Sequence, residues 1–138
     1  MNECIFCRIA AGTLQATKVY EDANFVAFLD INPVSPGHTL VIPKKHCDRY
    51  EKMLPEEAAE IFLVVHKLAP KIASAVGADS YNIGVNSGLA AGQAVFHTHV
   101  HIMPRLPKDG LELWLGQPYK DNAAREDVAK KIRSSLIE

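Results

Sequence analysis

The sequence predicts an α+β domain: a meander of short strands with one long helix in the middle. Two observations carry that prediction. Helical spacing of apolar residues is confined to a long central stretch and a terminal one, and the other apolar residues form short runs bounded by Gly, Pro, Asn and Asp. The 138 residues, 48% hydrophobic and 22% charged, fit one compact unit spanning 1–138. A domain of this size buries roughly two thirds of its unfolded surface and needs no disulfide to hold together.

The elements follow in order. Ile5 to Ala11 makes one or two helical turns closed by Gly12. Lys18 to Glu21 and Phe25 to Asp30 read as strands with a turn between them, and Thr39 to Pro43 as a third. The two prolines and the glycine of 32–37 make that segment a loop. Pro55, Glu56 and Glu57 suit the first turn of a helix, whose positive dipole end favours acidic residues. Ile61, Val64, Val65, Leu68, Ile72 and Val76 continue it to a stop at Gly77, with Pro70 expected to kink or split it. Tyr81 to Val85 and Thr98 to Met103 read as strands joined by a loop of small residues. A last helix from about Asn122 to Leu136 places Val128, Ile132 and Leu136 on one face.

Composition narrows the function classes. A net charge of −1 gives no electrostatic footprint for nucleic acid or a membrane surface. Residues 1–8 lack the basic and apolar regions of a secretory signal, and no apolar run approaches the ~20 residues of a membrane span. Three cysteines, Cys4, Cys7 and Cys47, argue against a disulfide scaffold, so a reducing, cytoplasmic setting is expected.

Five of the six histidines fall in two stretches: His38 and His46, then His97, His99 and His101. The β-branched Thr98, Val100 and Ile102 favour a strand, on which alternate histidines share one face. Packing alone gives no reason to gather three imidazoles there. Two chemistries remain open: the three share one catalytic metal, or one is a nucleophile while others bind a phosphate. The small residues of 86–94 let backbone N–H groups approach an anion, which favours the phosphate reading. Cys4-Ile5-Phe6-Cys7 is open to redox, metal-binding or incidental readings.

The run His97-Thr98-His99-Val100-His101-Ile102-Met103 resembles the signature of the histidine-triad (HIT) family. The likeness extends over Cys4–Cys7, Phe28–Asp30, Gly37–His46 and Gly92–His97, so that about residues 4–105 match in order and spacing, with the tail and helix of 106–138 beyond them. Its branch looks like the bacterial Hint-type one. The resemblance implies an antiparallel sheet of about five strands, continued across a homodimer. It implies hydrolysis or transfer at the α-phosphate of purine nucleoside 5′-phosphate derivatives: phosphoramidates, acyl-adenylates or dinucleoside polyphosphates. A nucleotide-binding regulatory or scaffold protein with incidental hydrolysis is the alternative.

By the same resemblance, His99 is the nucleophile, His101 and His38 bind the phosphate and orient it, and Gln93 with the N–H of Ala94 faces the leaving group. Asn86 and Gly92 lie at the phosphate or ribose. Asp30 is implied to accept the ribose hydroxyls, though it could equally cap a turn. Ile5, Phe6, Phe28 and Ile31 resemble a clamp on the base, though plain core accounts for such residues equally well. A structural zinc on Cys4, Cys7, His46 and His97 is implied too, with Cys47 a plain thiol. Many relatives carry Ser or Thr where this chain has Ala94, which bears on substrate preference. Trp114 either reaches the partner's site or packs in the core. His66, Lys44 and Lys45 read as solvated helix and loop residues.

Overall fold

In the computed structural model, which describes residues 3–137, five antiparallel strands form one sheet in the order β1-β2-β3-β5-β4. The strands are β1 (Lys18–Glu21), β2 (Phe25–Leu29), β3 (Thr39–Pro43), β4 (Ser80–Val85) and β5 (Val100–Arg105). Both faces of β2 and β3 are covered, which is why Phe25–Val26–Ala27–Phe28 and Thr39–Pro43 are apolar runs rather than alternating ones. On one face, Phe25, Ala27, Val41, Val100 and Ile102 pack against Ile61, Val64, Val65, Leu68 and Ala69 of helix α2 (Pro55–Ala75). On the other, Val26, Phe28, Leu40 and Ile42 pack against Phe6 and Ile9 of helix α1 (Ile5–Ala11). Gly12 closes α1 in the left-handed region at φ 80°, donating its N–H to the Ile9 carbonyl.

Several boundaries differ from the sequence expectation. Helix α2 is neither split nor interrupted at Pro70. Pro70 and His66 both face solvent, so water can bond the His66 carbonyl that Pro70 leaves without a donor, and buried Val65, Leu68, Ala69 and Ala73 hold the flanking turns. Strand β2 stops at Leu29, because the Asp30 carboxylate turns back to accept the Asn32 N–H at 2.8 Å. Strand β5 begins at Val100 instead of Thr98 and runs through Pro104. The Thr98 N–H and hydroxyl both bond the Cys47 carbonyl, at 2.7 and 3.0 Å, which takes Thr98 out of the ladder. Pro104 lies past the last β3 pair, Thr39 with Ile102, so it removes no donor from that ladder.

The C-terminal helix α3 (Asn122–Leu136) is capped by Asp121, whose carboxylate accepts the Ala124 N–H, yet none of its described residues is buried. Trp114 is 93% exposed, so it does not pack in this chain's core. No described helix is long and apolar enough to cross a membrane.

Candidate active site

The sequence placed His97, His99 and His101 as one row on a strand; only His101 is on β5. His99 precedes it in extended chain, its ring centroid 4.9 Å from that of His101. The ring of His97 turns to a separate cluster with Cys4, Cys7 and His46. Among the described residues, no group of donor atoms close enough for one ion joins His97, His99 and His101. A single catalytic metal on the three thus lacks a geometric basis.

Hydrogen bonds fix the proton positions of the chemically active imidazoles. The Val34 N–H donates to His38 Nδ1 at 3.1 Å, which leaves the proton of a neutral His38 on Nε2. That Nε2–H donates to His101 Nδ1 at 2.9 Å, so the proton of His101 lies on its own Nε2. His101 Nε2 is buried and has no protein partner. His99 donates its Nδ1–H to the His97 carbonyl at 2.8 Å and keeps a lone pair on Nε2. The site therefore offers a nucleophilic nitrogen beside an unused N–H donor.

Burial keeps these rings neutral. His99 and His38 are held below the ordinary histidine value, mainly by burial. His101 is pushed down to about 4, by burial first and then by the neighbouring His99 and His38. An unfolded chain binds protons on these residues near pH 6.5, whereas the folded chain resists binding them until lower pH. Stability is accordingly full above about pH 6.5 and lost progressively as pH falls toward 4. The midpoint of urea unfolding is expected to drop monotonically over that range, and the His101→Asn variant is expected to show a shallower drop.

Asp30 takes the turn-capping role expected of it. One carboxylate oxygen caps the turn at Asn32, and the other stands 3.7 Å from His38 Nε2. Phe6 and Phe28 meet edge to face at 5.4 Å, and Phe6 presents its edge to His99 at 5.1 Å. Both phenylalanines are core residues that also wall the site. Ile5 is 43% and Ile31 92% exposed, so neither makes a closed clamp with them in this chain.

The loop 86–93 rises beside this group around a 3-10 turn, Leu89–Ala91, that ends at Gly92 with φ 92°. A Cβ on Gly92 would come within 3.5 Å of the Asn86 amide nitrogen, which places Asn86 against Gly92 inside the loop. Ala94 is exposed just after it. Gln93 bonds main-chain atoms. Its Oε1 accepts the Gly88 N–H at 2.8 Å, and its Nε2 donates to the carbonyls of Asp48 (2.6 Å) and Val95 (3.1 Å). With both amide hydrogens engaged and 1% of the residue exposed, Gln93 is a strut of the loop. Gln93→Ala is expected to leave the buried Gly88 N–H and the part-buried Asp48 and Val95 carbonyls without their side-chain partner, costing about 1–3 kcal/mol. Urea unfolding measures that cost.

The second cluster has the shape of a tetrahedral metal site. His97 donates its Nε2–H to the Pro43 carbonyl (2.8 Å) and His46 its Nε2–H to the Asp48 carboxylate (2.6 Å), so both Nδ1 lone pairs face inward. Those two nitrogens are 3.3 Å apart, and three sulfur–nitrogen distances run from 3.2 to 3.5 Å. Bonds of about 2.0–2.3 Å to a central zinc give edges of this length. Cys47 lies outside the cluster and packs on the α2 core, as a plain thiol.

The sequence reading missed Asp48 and the Val34 N–H. Asp48 stands two residues after His46 and was legible as a partner for it; the Val34 donor is a main-chain atom and carries no sequence signal. Lys44 and Lys45 pair with Glu21 and Glu57, and His66 faces solvent on α2, as expected of solvated residues.

Comparison with known proteins agrees with this geometry. The model of the HIT domain matches residues 11–108. The chain is 40% identical over 136 residues to the adenylylsulfatase HINT3 of Arabidopsis thaliana, covering 99% of this chain and 66% of that one. It is 38% identical to the adenosine 5′-monophosphoramidase hnt1 of Schizosaccharomyces pombe, over 94% of this chain and 98% of that one. The crystal structure of a zinc-bound histidine triad family protein from Mycobacterium smegmatis superposes with a TM-score of 0.77 at 36% identity, covering 97% and 98% of the two chains. The matched model, these relatives and the shared fold agree: the chain belongs to the HIT family.

Proposed function

We propose that this protein hydrolyses or transfers the nucleotidyl group of purine nucleoside 5′-phosphate derivatives through a covalent intermediate on His99. The observation that carries the reading is the pair of fixed tautomers, a lone pair on His99 Nε2 beside a buried, unpartnered N–H on His101. His99 Nε2 attacks the α-phosphorus, the bond to the leaving group breaks, and that group departs with the bond's electron pair. The His101 N–H, positioned by His38, bonds a non-bridging phosphate oxygen as charge builds on it. Water then attacks phosphorus, the phosphorus–nitrogen bond breaks, and the nucleoside monophosphate leaves. Asp30 accepts the ribose hydroxyls with the carboxylate oxygen not engaged at Asn32, and Phe6 and Phe28 with Ile5 and Ile31 border the base. The loop around Asn86, Gly92 and Ala94 approaches the phosphate with its backbone. The activities named for HINT3 and hnt1 support this substrate class.

Cys4, Cys7, His46 and His97 hold a structural zinc in this reading, supported by the tetrahedral distances and by the zinc-bound relative. When bound, the ion would tie α1 to the ends of β3 and β5. A cytoplasmic homodimer completes the proposal, and the exposed Trp114 and α3 are the surfaces that support it.

The test is mass spectrometry of protein quenched without acid during turnover of adenosine 5′-phosphoramidate. A gain of about 329 Da, one adenylyl group, on the wild type and none on His99→Ala is the expected result. Undiminished hydrolysis by His99→Ala, with no adduct on either protein, would reject the mechanism. Nucleotide binding without turnover by the wild type would favour the scaffold alternative.

A further inference from the structure

Two separate contacts join the donor cluster to the nucleophile, and a third joins it to the 86–93 loop. The first is main-chain. His97 is gripped at Nε2 by the Pro43 carbonyl and turns Nδ1 into the cluster, while its own carbonyl accepts the His99 Nδ1–H. Ring and carbonyl belong to one residue that is fully buried, so the ring cannot shift without moving the group that sets the His99 tautomer. The second runs through helix α1. Phe6 lies between Cys4 and Cys7 in sequence, and its ring meets His99 at 5.1 Å and His97 at 5.9 Å. The third runs through His46, which bonds the Asp48 carboxylate; the Asp48 carbonyl receives the Gln93 amide, and Gln93 holds Gly88 of the loop.

With both Nε2 protons donated outward, the Nδ1 lone pairs of His46 and His97 face each other across 3.3 Å beside two sulfurs. A cation at the centre turns that repulsion into four attractions. Without it the two rings are pushed apart, and all three contacts loosen together.

We infer that the Cys4, Cys7, His46 and His97 cluster is a positioning element for His99: metal bound there holds the His99 proton on Nδ1 and the lone pair on Nε2. The inference rests on the proposed function only for its kinetic consequence. Its structural content concerns His99 in the nucleotide-free protein.

Long-range 1H–15N correlation spectra of histidine-labelled protein read the tautomer directly, with zinc content measured alongside. Wild type with zinc is expected to show His99 in a single Nδ1–H form. Cys7→Ser is expected to lose zinc and show mixed tautomers at His99, with kcat lowered at least tenfold and KM changed less than threefold. Cys7→His, which restores a fourth donor, is expected to recover zinc and the single tautomer. A folded, zinc-free Cys7→Ser protein with an unchanged His99 signal would overturn the inference. Where Cys7→Ser does not fold, cadmium exchanged for zinc in the wild type decides. The larger ion is expected to move the His99 ring shifts and kcat together, and unmoved shifts would overturn the inference. A wild type without turnover would sink the proposed function and leave this test intact.

Discussion

Replacing His99 with alanine is expected to lower kcat/KM for adenosine 5′-phosphoramidate by about 10⁴-fold or more, with adenosine monophosphate binding weakened by less than about tenfold. The asymmetry follows from the site. In the proposed mechanism His99 contributes a lone pair whose bond to phosphorus forms only as the reaction proceeds, whereas Asp30, His38, His101 and the 86–93 loop, assigned there to ground-state binding, are left in place. The vacated ring also leaves the His97 carbonyl without its donor, a cost of about 1–3 kcal/mol in stability that unfolding measurements separate from the kinetic loss. Steady-state kinetics with isothermal titration of adenosine monophosphate makes the comparison. Retention of activity within tenfold would show that the attacking group lies elsewhere.

Removal of the metal donors is the other large effect expected. Cys4→Ser with Cys7→Ser is expected to yield protein with under about a tenth of an equivalent of zinc and a stability loss of about 3–5 kcal/mol, a fall in Tm of roughly 10–20 °C. The loss is smaller than for an isolated zinc finger because the two apolar clusters fold the sheet without the ion. A metal bound as proposed would add the attachment of α1, which otherwise holds on through Phe6 and Ile9. Calorimetry with metal analysis tests this. Full-length wild type that contains no zinc and melts with the double variant would remove zinc from the account.

How much of this was legible in the sequence depends on which force decided each feature. Helix α2 was readable because burial of one face imposes a period on its apolar residues, and β1, β2 and β3 because they are short runs bounded by turn residues, β2 and β3 with both faces covered. The donor cluster was readable through the family resemblance, which set His46 and His97 beside the Cys4 and Cys7 pair, and the four do converge. The start of β5 was not, since Thr98 is an excellent strand residue drawn off by the Cys47 carbonyl. The bracing of the loop by Gln93 was not legible for a related reason: a buried amide and a substrate-facing amide look alike in sequence, and its three partners are main-chain atoms. The uninterrupted α2 shows the converse, a local penalty at Pro70 that solvent and the neighbouring turns absorb.

The hydrogen bonds that set the tautomers of His38, His97 and His99 all end on main-chain atoms: the Val34 N–H, the Pro43 carbonyl and the His97 carbonyl. No substitution at Pro43, and none but proline at Val34, deletes the atom in question, so other sequence drift at those positions leaves proton placement intact. What the arrangement tolerates poorly is a change in chain length. An insertion or deletion of one residue in 32–37 or 43–47 would displace a carbonyl or an N–H that no neighbouring residue can replace. Across relatives of this protein, these short connections should therefore hold their length more strictly than their composition.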